Sequence, residues 1–179
     1  SVVGYAGIAI LPMSPLAGLA RQTVEMYIGE GKVPLVERLT MDMRERAGVF
    51  VSIHKQGDLR GCIGTFEPQA KNVAEEIIAN AVSAATRDPR FSQIRKDELR
   101  DLDYSVDVLT HPVPVIDRDS LDPRKYGVIV ECGRRRGLLL PDLEGVDTVD
   151  QQIDICCQKA GISRGEKTNL YSFEVKRHK

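Results

Sequence analysis

A chain of 179 residues with 42% hydrophobic content can bury roughly 70% of the surface its unfolded form exposes, enough for a self-standing core in one domain or two closely packed lobes. Its 25 lysines and arginines against 26 acidic residues leave a net charge of -1, which supplies no long-range field to gather nucleic acid or an anionic membrane. The longest apolar runs, such as Gly137 to Pro141, fall far short of the ~20 residues that span a bilayer.

Residues 1–13 are set apart as an N-terminal extension. Ser1 to Leu11 is apolar and glycine-rich but has no positively charged start, which argues against a secretory signal; it alternates like a strand and fits the tail of an upstream domain. Ser14 before Pro15 reads as a helix start, Leu16, Leu19, Ala20, Val24, Tyr27 and Ile28 recur at helical spacing, and Gly29 and Gly31 stop the helix. Val49, Val51 and Ile53 alternate, Lys55 to Asp58 makes a turn, and Leu59 to Phe66 returns as the second arm of a hairpin. Asn72 caps a second helix with a stripe of small residues, ending before Asp88 and Pro89. Leu102 to Val115 has one wet face, and Pro112 and Pro114 take it out of its sheet. Gly127 to Cys132 and Gly137 to Pro141 form a second hairpin across Gly133 to Arg136; a helix follows from Thr148 to Ala160, stopped by Gly161, and Leu170 to Val175 is the last strand. This order predicts an α+β fold with largely antiparallel sheets flanked by helices.

Leu59-Arg60-Gly61-Cys62-Ile63-Gly64 is where the sequence stops being generic, and it matches the LRGCIG signature of the AMMECR-one family. The resemblance extends through Gly48 to Val51, Asp88-Pro89-Arg90-Phe91, Glu98-Leu99, Ser105 to Thr110 and Gly137 to Pro141. The chain looks like the prokaryotic form, protein A of the AmmeMemoRadiSam system, encoded beside or fused to a Memo-type protein and a radical-SAM protein. This likeness implies those two proteins as partners and a domain over residues 14–175 made of two packed lobes. The larger lobe would carry the hexapeptide beside an inter-lobe cleft, and the smaller would lie around residues 115–145. It implies no reaction and no cofactor. Many relatives place a tryptophan shortly after the leucine-rich strand, whereas this chain has none.

The residues themselves admit two chemistries. Two apart on a strand, Arg60 and Cys62 share a face, and a guanidinium beside a thiol favours the nucleophilic thiolate. Cys62 is then the candidate nucleophile, Arg60 its activator or an anion clamp, and Asp88 an orienting carboxylate. Gly61 and Gly64 permit close approach of a backbone or ligand, and Arg90 joins them in a binding role. The bland reading makes Cys62 a small buried hydrophobe, the glycines packing devices, and the Arg87, Asp88 and Arg90 cluster a helix stop with a structural ion pair. In the binding reading the same cleft docks a partner protein or a small molecule. His54 one strand away reads as surface, and His54, Cys62, His111 and Cys132 have no ligand spacing, so no metal is assigned. Arg134, Arg135 and Arg136 at a hairpin tip bind phosphate or are simply solvated. Aromatic content of 5% argues against a base-stacking surface. Four cysteines without paired spacing (Cys62, Cys132, Cys156, Cys157) fit a reducing cytoplasm. Because a core rarely takes an unpaired arginine, Arg60 and Cys62 are expected to line an accessible cleft facing a lobe built from Tyr126 to Pro141. Asp88 or another acid should lie within reach of Arg60.

Overall fold

A computed structural model describes residues 12–179 of the chain, so the strand-like reading of Ser1 to Leu11 lies outside the described residues. Local chemistry sets the first helix, α1 (Pro15–Glu30): the Ser14 hydroxyl accepts the Ala17 N–H, and Gly31, at φ 69°, closes the last turn by donating to the Tyr27 carbonyl. Gly29, expected to be part of the stop, stays inside the helix, since only Gly31 takes the left-handed conformation. A single turn, α2 (Met41–Arg44), was not foreseen. β1 (Val49–Lys55) and β2 (Asp58–Thr65) form the expected hairpin across Gln56 and Gly57, both at positive φ, the geometry that tight hairpins demand. α3 (Val73–Thr86) is capped by the Asn72 side chain, which accepts the Glu75 N–H.

A 3-10 turn over Lys96–Asp101 leads into β3 (Leu102–Leu109). The prolines then act as expected: the chain leaves its sheet, and β4 (Val113–Pro114) joins another. β5 (Gly127–Cys132), β6 (Arg135–Leu139) and α4 (Val149–Ala160) follow, the helix opened by a reciprocal cap between Thr148 and Gln151. The single last strand expected over Leu170 to Val175 is in fact two, β7 (Asn169–Phe173) and β8 (Val175–His178), broken at Glu174.

The strands assemble into two four-stranded antiparallel sheets, β2-β1-β3-β8 and β4-β7-β5-β6. In the first, Val49, Val51, Ile53, Tyr104 and Val106 turn one face toward α1 and α3, whose Leu16, Ala20, Val24, Ile77 and Ala81 complete a dry core. In the second, Val128, Val130 and Leu139 pack with Cys156 of α4. Leu109, Ile129 and Phe173, with Phe50, Leu138 and Tyr171 against them, form a third cluster made by residues of both sheets. The second sheet and α4 occupy residues 113–173, well beyond the segment around 115–145 on which the sequence placed a smaller lobe. Two strand-to-strand crossings join the lobes, at Thr110 and at Glu174, and they brace each other: the Thr110 N–H donates to the Glu174 carbonyl at 2.9 Å and the Glu174 N–H to the Thr110 hydroxyl at 2.8 Å.

Each sheet also uses a glycine to seat its helix. A Cβ on Gly61 would lie 2.3 Å from the Ala84 carbonyl oxygen of α3, and one on Gly137 would lie 1.8 Å from the Cys156 carbonyl oxygen of α4. Among the described residues, no helix is long and apolar enough to cross a membrane.

Candidate functional site

The hexapeptide is a strand, but it is not a regular one. Gly61 pairs with Ile53 and Leu59 with His54, so Arg60 is the extra residue of a β-bulge. A bulge breaks period-two alternation and re-aims a side chain. Arg60 therefore turns with Lys55 toward the 3-10 turn, while Cys62 lies on the opposite face against Ser52. The expectation that Arg60 and Cys62 share a face is corrected by this one inserted residue.

Arg60 is fully engaged where it lands. Its Nε and Nη2 meet the two Glu98 carboxylate oxygens at 3.0 and 3.1 Å, and Nη1 donates to the Ser92 carbonyl at 2.8 Å. Glu98, buried, also takes Lys55 Nζ at 3.1 Å and the Arg95 N–H at 2.8 Å. With Arg60 foremost, these donors hold its carboxyl down at about 2. An acid within reach of Arg60 was expected, and it is Glu98, not Asp88.

Asp88 does different work. Its carboxylate takes Arg90 through Nε and Nη2 and accepts the backbone N–H of Cys62 at 3.0 Å, while Arg90 Nη2 donates to the Cys62 carbonyl at 3.4 Å. The Arg90 hydrogen bond, helped by the Cys62 N–H, keeps Asp88 far below the usual carboxylate range. Because β2 is an edge strand, this pair satisfies the outward backbone groups of Cys62 and blocks that stretch against further pairing. The Cys62 thiol itself sits 3.3 Å from the Ser52 hydroxyl and, among the described residues, has no hydrogen bond from a guanidinium. His54 stands opposite Leu59, not Cys62.

The cleft lies further along β2. A cavity of about 710 Å³ opens between the lobes, walled by Gly64 to Gln69 and Leu109 to Pro112 on one side and by Ile129, Arg136 to Leu138, Lys159 and Phe173 on the other. Of the candidate residues only Gly64 lines it; Arg60, Gly61, Cys62, Asp88 and Arg90 do not. Gly64 leaves room for the Phe50 ring, which would come within 2.2 Å of a Cβ there, and that ring packs at a tilt against Phe66 with centroids 5.0 Å apart. The Phe66 to Ala70 wall is pinned from beneath by Glu76. This buried carboxylate accepts the Thr65 hydroxyl at 2.5 Å, the Gln69 N–H at 3.0 Å and the Ala70 N–H at 2.7 Å. Across the cleft Arg136 reaches Glu67, an ion pair from one lobe to the other, and also meets Glu131 at 3.3 Å. Of the hairpin-tip arginines, Arg135 is turned away to Glu166 and the Gly161 carbonyl, and only Arg136 faces the cleft.

The family model described as AMMECR1 matches residues 17–178. The chain belongs to the AMMECR1 family. A protein of Clostridium acetobutylicum is 51% identical over 168 residues; the match takes in 92% of this chain but 36% of that relative, so this AMMECR1 domain spans about a third of its length. One from Thermotoga maritima is 48% identical over 169 residues, covering 92% and 97% of the two chains. The crystal structure of an uncharacterised Pyrococcus horikoshii protein superimposes with a TM-score of 0.74 at 30% identity, covering 90% of this chain and 88% of that one. These relatives bring the family and the α+β fold, and no reaction.

Sequence reasoning missed Glu98, Glu76, Glu67 and Lys159. Glu98 carries part of the family resemblance, and the signal for its role is Arg60, an arginine in a strand that a core would have to neutralise.

Proposed function

We propose that this AMMECR1 domain is a ligand-binding module whose site is the inter-lobe cleft, and that Cys62 supports the strand leading to it and is not a nucleophile. The observation that carries this reading is the position of the cleft. Its walls come from both lobes and include Gly64 but neither Cys62 nor Arg60, and the guanidinium that would activate the thiol is committed to Glu98. Leu109, Pro112, Ile129, Leu138 and Phe173 give it apolar walls, with a few polar groups at the rim, the usual composition of a site for a small molecule. We place the module in the cytoplasm, on the ground that all four cysteines are free. There it would act beside the Memo-type and radical-SAM proteins that the hexapeptide implies.

The test compares two variants in a native host lacking the gene. Cys62→Ser should keep both folding and in-cell function, whereas Leu138→Trp, which intrudes on the cleft from β6, should abolish function while the urea midpoint stays near wild type. Loss of function in a stable Cys62→Ser protein would overturn the binding reading and return the thiol to chemistry.

A further inference from the structure

The charges around the cleft narrow the class of ligand, an inference that rests on the cleft being the site. Two cations face it, Arg136 from β6 and Lys159 from α4. Lys159 Nζ donates to the Leu138 carbonyl at 2.9 Å, and among the described residues no carboxylate pairs with it. Arg136 is held by Glu131 of the neighbouring strand and by Glu67 of the opposite lobe. These two bonds differ in kind. Glu131 stands directly across from Arg136 in the β5–β6 ladder, so their contact is fixed by register. Glu67 reaches over from a loop whose backbone Glu76 and Arg46 pin in place, and its own side chain is largely exposed.

Among the described residues Glu67 is the single acid lining the cleft, and it is spent on the arginine there. Below the rim the walls turn apolar, with Leu109, Ile129 and Phe173 at the base. An apolar slot with an unneutralised lysine, and an arginine engaged by an exposed and therefore displaceable carboxylate, suits a molecule that is apolar at one end and anionic at the other.

We propose that the cleft binds a small molecule with an apolar body and one anionic group, carboxylate, sulfonate or phosphate, and that Glu67 is the internal rival of that anion for Arg136. The ligand anion takes Arg136 from Glu67 with Lys159 alongside, and the inter-lobe ion pair is given up as the ligand enters. Because an exposed ion pair holds its partners weakly, the exchange is reversible and salt-sensitive.

A matched pair of dyes tests the proposal: anilinonaphthalene sulfonate carries the anion, and phenylnaphthylamine has the same apolar body without it. Fluorescence titration of the full chain should give about tenfold tighter binding of the sulfonate. Arg136→Met should erase that preference, and Arg136→Lys should retain part of it. Glu67→Gln should tighten the sulfonate alone. Leu138→Trp should weaken both dyes, which assigns the signal to the cleft. Equal affinities in wild type, or a sulfonate preference indifferent to Arg136→Met and Glu67→Gln, would overturn the anion inference and leave the cleft as a site for neutral molecules. Failure of both dyes to bind, or binding indifferent to Leu138→Trp, would overturn both the inference and the cleft reading beneath it.

Discussion

Glu98→Ala should destabilise the chain by about 3 kcal/mol, because it leaves a guanidinium that is only 13% exposed without its carboxylate. The loss is moderated by the Ser92 and Gln93 carbonyls, which Arg60 keeps, and by the exposure of Lys55, which can turn to water. The double variant Arg60→Met, Glu98→Met should recover most of the stability, since an apolar pair of similar volume replaces a buried ion pair at little cost. A double variant as unstable as Glu98→Ala would show that the bulge itself depends on the charge pair. The same carboxylate sets the acid limb of stability. Its folded value of about 2 lies below its ordinary 4.5, so the group stabilises the fold at pH above 4.5, and that contribution drains away as the pH falls toward 2. Asp88, depressed by Arg90, adds to the loss in the same direction. Urea midpoints measured between neutral pH and pH 2 should fall steeply in wild type and less steeply in Glu98→Gln.

The second large effect is expected at the helix-seating glycines. Gly137→Ala and Gly61→Ala should each cost about 3 kcal/mol, the upper part of the overpacking range. In both cases the added carbon meets a helix backbone carbonyl, at 1.8 and 2.3 Å, and no rotamer change relieves that contact; the whole helix must move. At Gly64 the obstacle is the Phe50 ring, a side chain that can swing aside, so Gly64→Ala should cost less than either. Gly29→Ala is the control: it lies inside α1 with nothing within 4 Å, and should stabilise by up to about 1 kcal/mol through helix propensity alone. A Gly61→Ala midpoint equal to that of Gly64→Ala would refute the close seating of β2 on α3.

Much of the fold could be read because its signals are local. Ser14-Pro15, Asn72, Thr148 and Gly161 announce helix ends by their own hydrogen bonds and backbone preferences, and Gln56-Gly57 announces a tight turn. The bulge at Arg60 has no such mark: neither glycine nor proline stands at the inserted residue, and the pairing that creates it involves His54 and Ile53 on another strand. One unmarked residue was enough to send the candidate activator to the wrong face. The cleft was anticipated, but from the hexapeptide it was placed one turn of argument too early on β2, because closure of the Cys62 edge by Asp88 and Arg90 depends on residues 26 and 28 positions away. Splitting of the last strand was equally hidden, since Glu174 interrupts it only by virtue of its bond to Thr110.

The paired crossings at Thr110 and Glu174 have a consequence for how the molecule is made. Everything in the second lobe, residues 113–173, is emitted by the ribosome between β3 and β8, the strand that lies beside it in the first sheet. The edge of β3 from Val106 to Leu109 therefore waits for Val175 to His178, and buried Asp107 waits for Arg177, which it meets through both carboxylate oxygens. The lobe that starts first in synthesis is finished last. During that interval its open strand edge and uncompensated acid are exposed, so the time between emergence of β3 and docking of β8 is when this domain is most open to pairing with another chain.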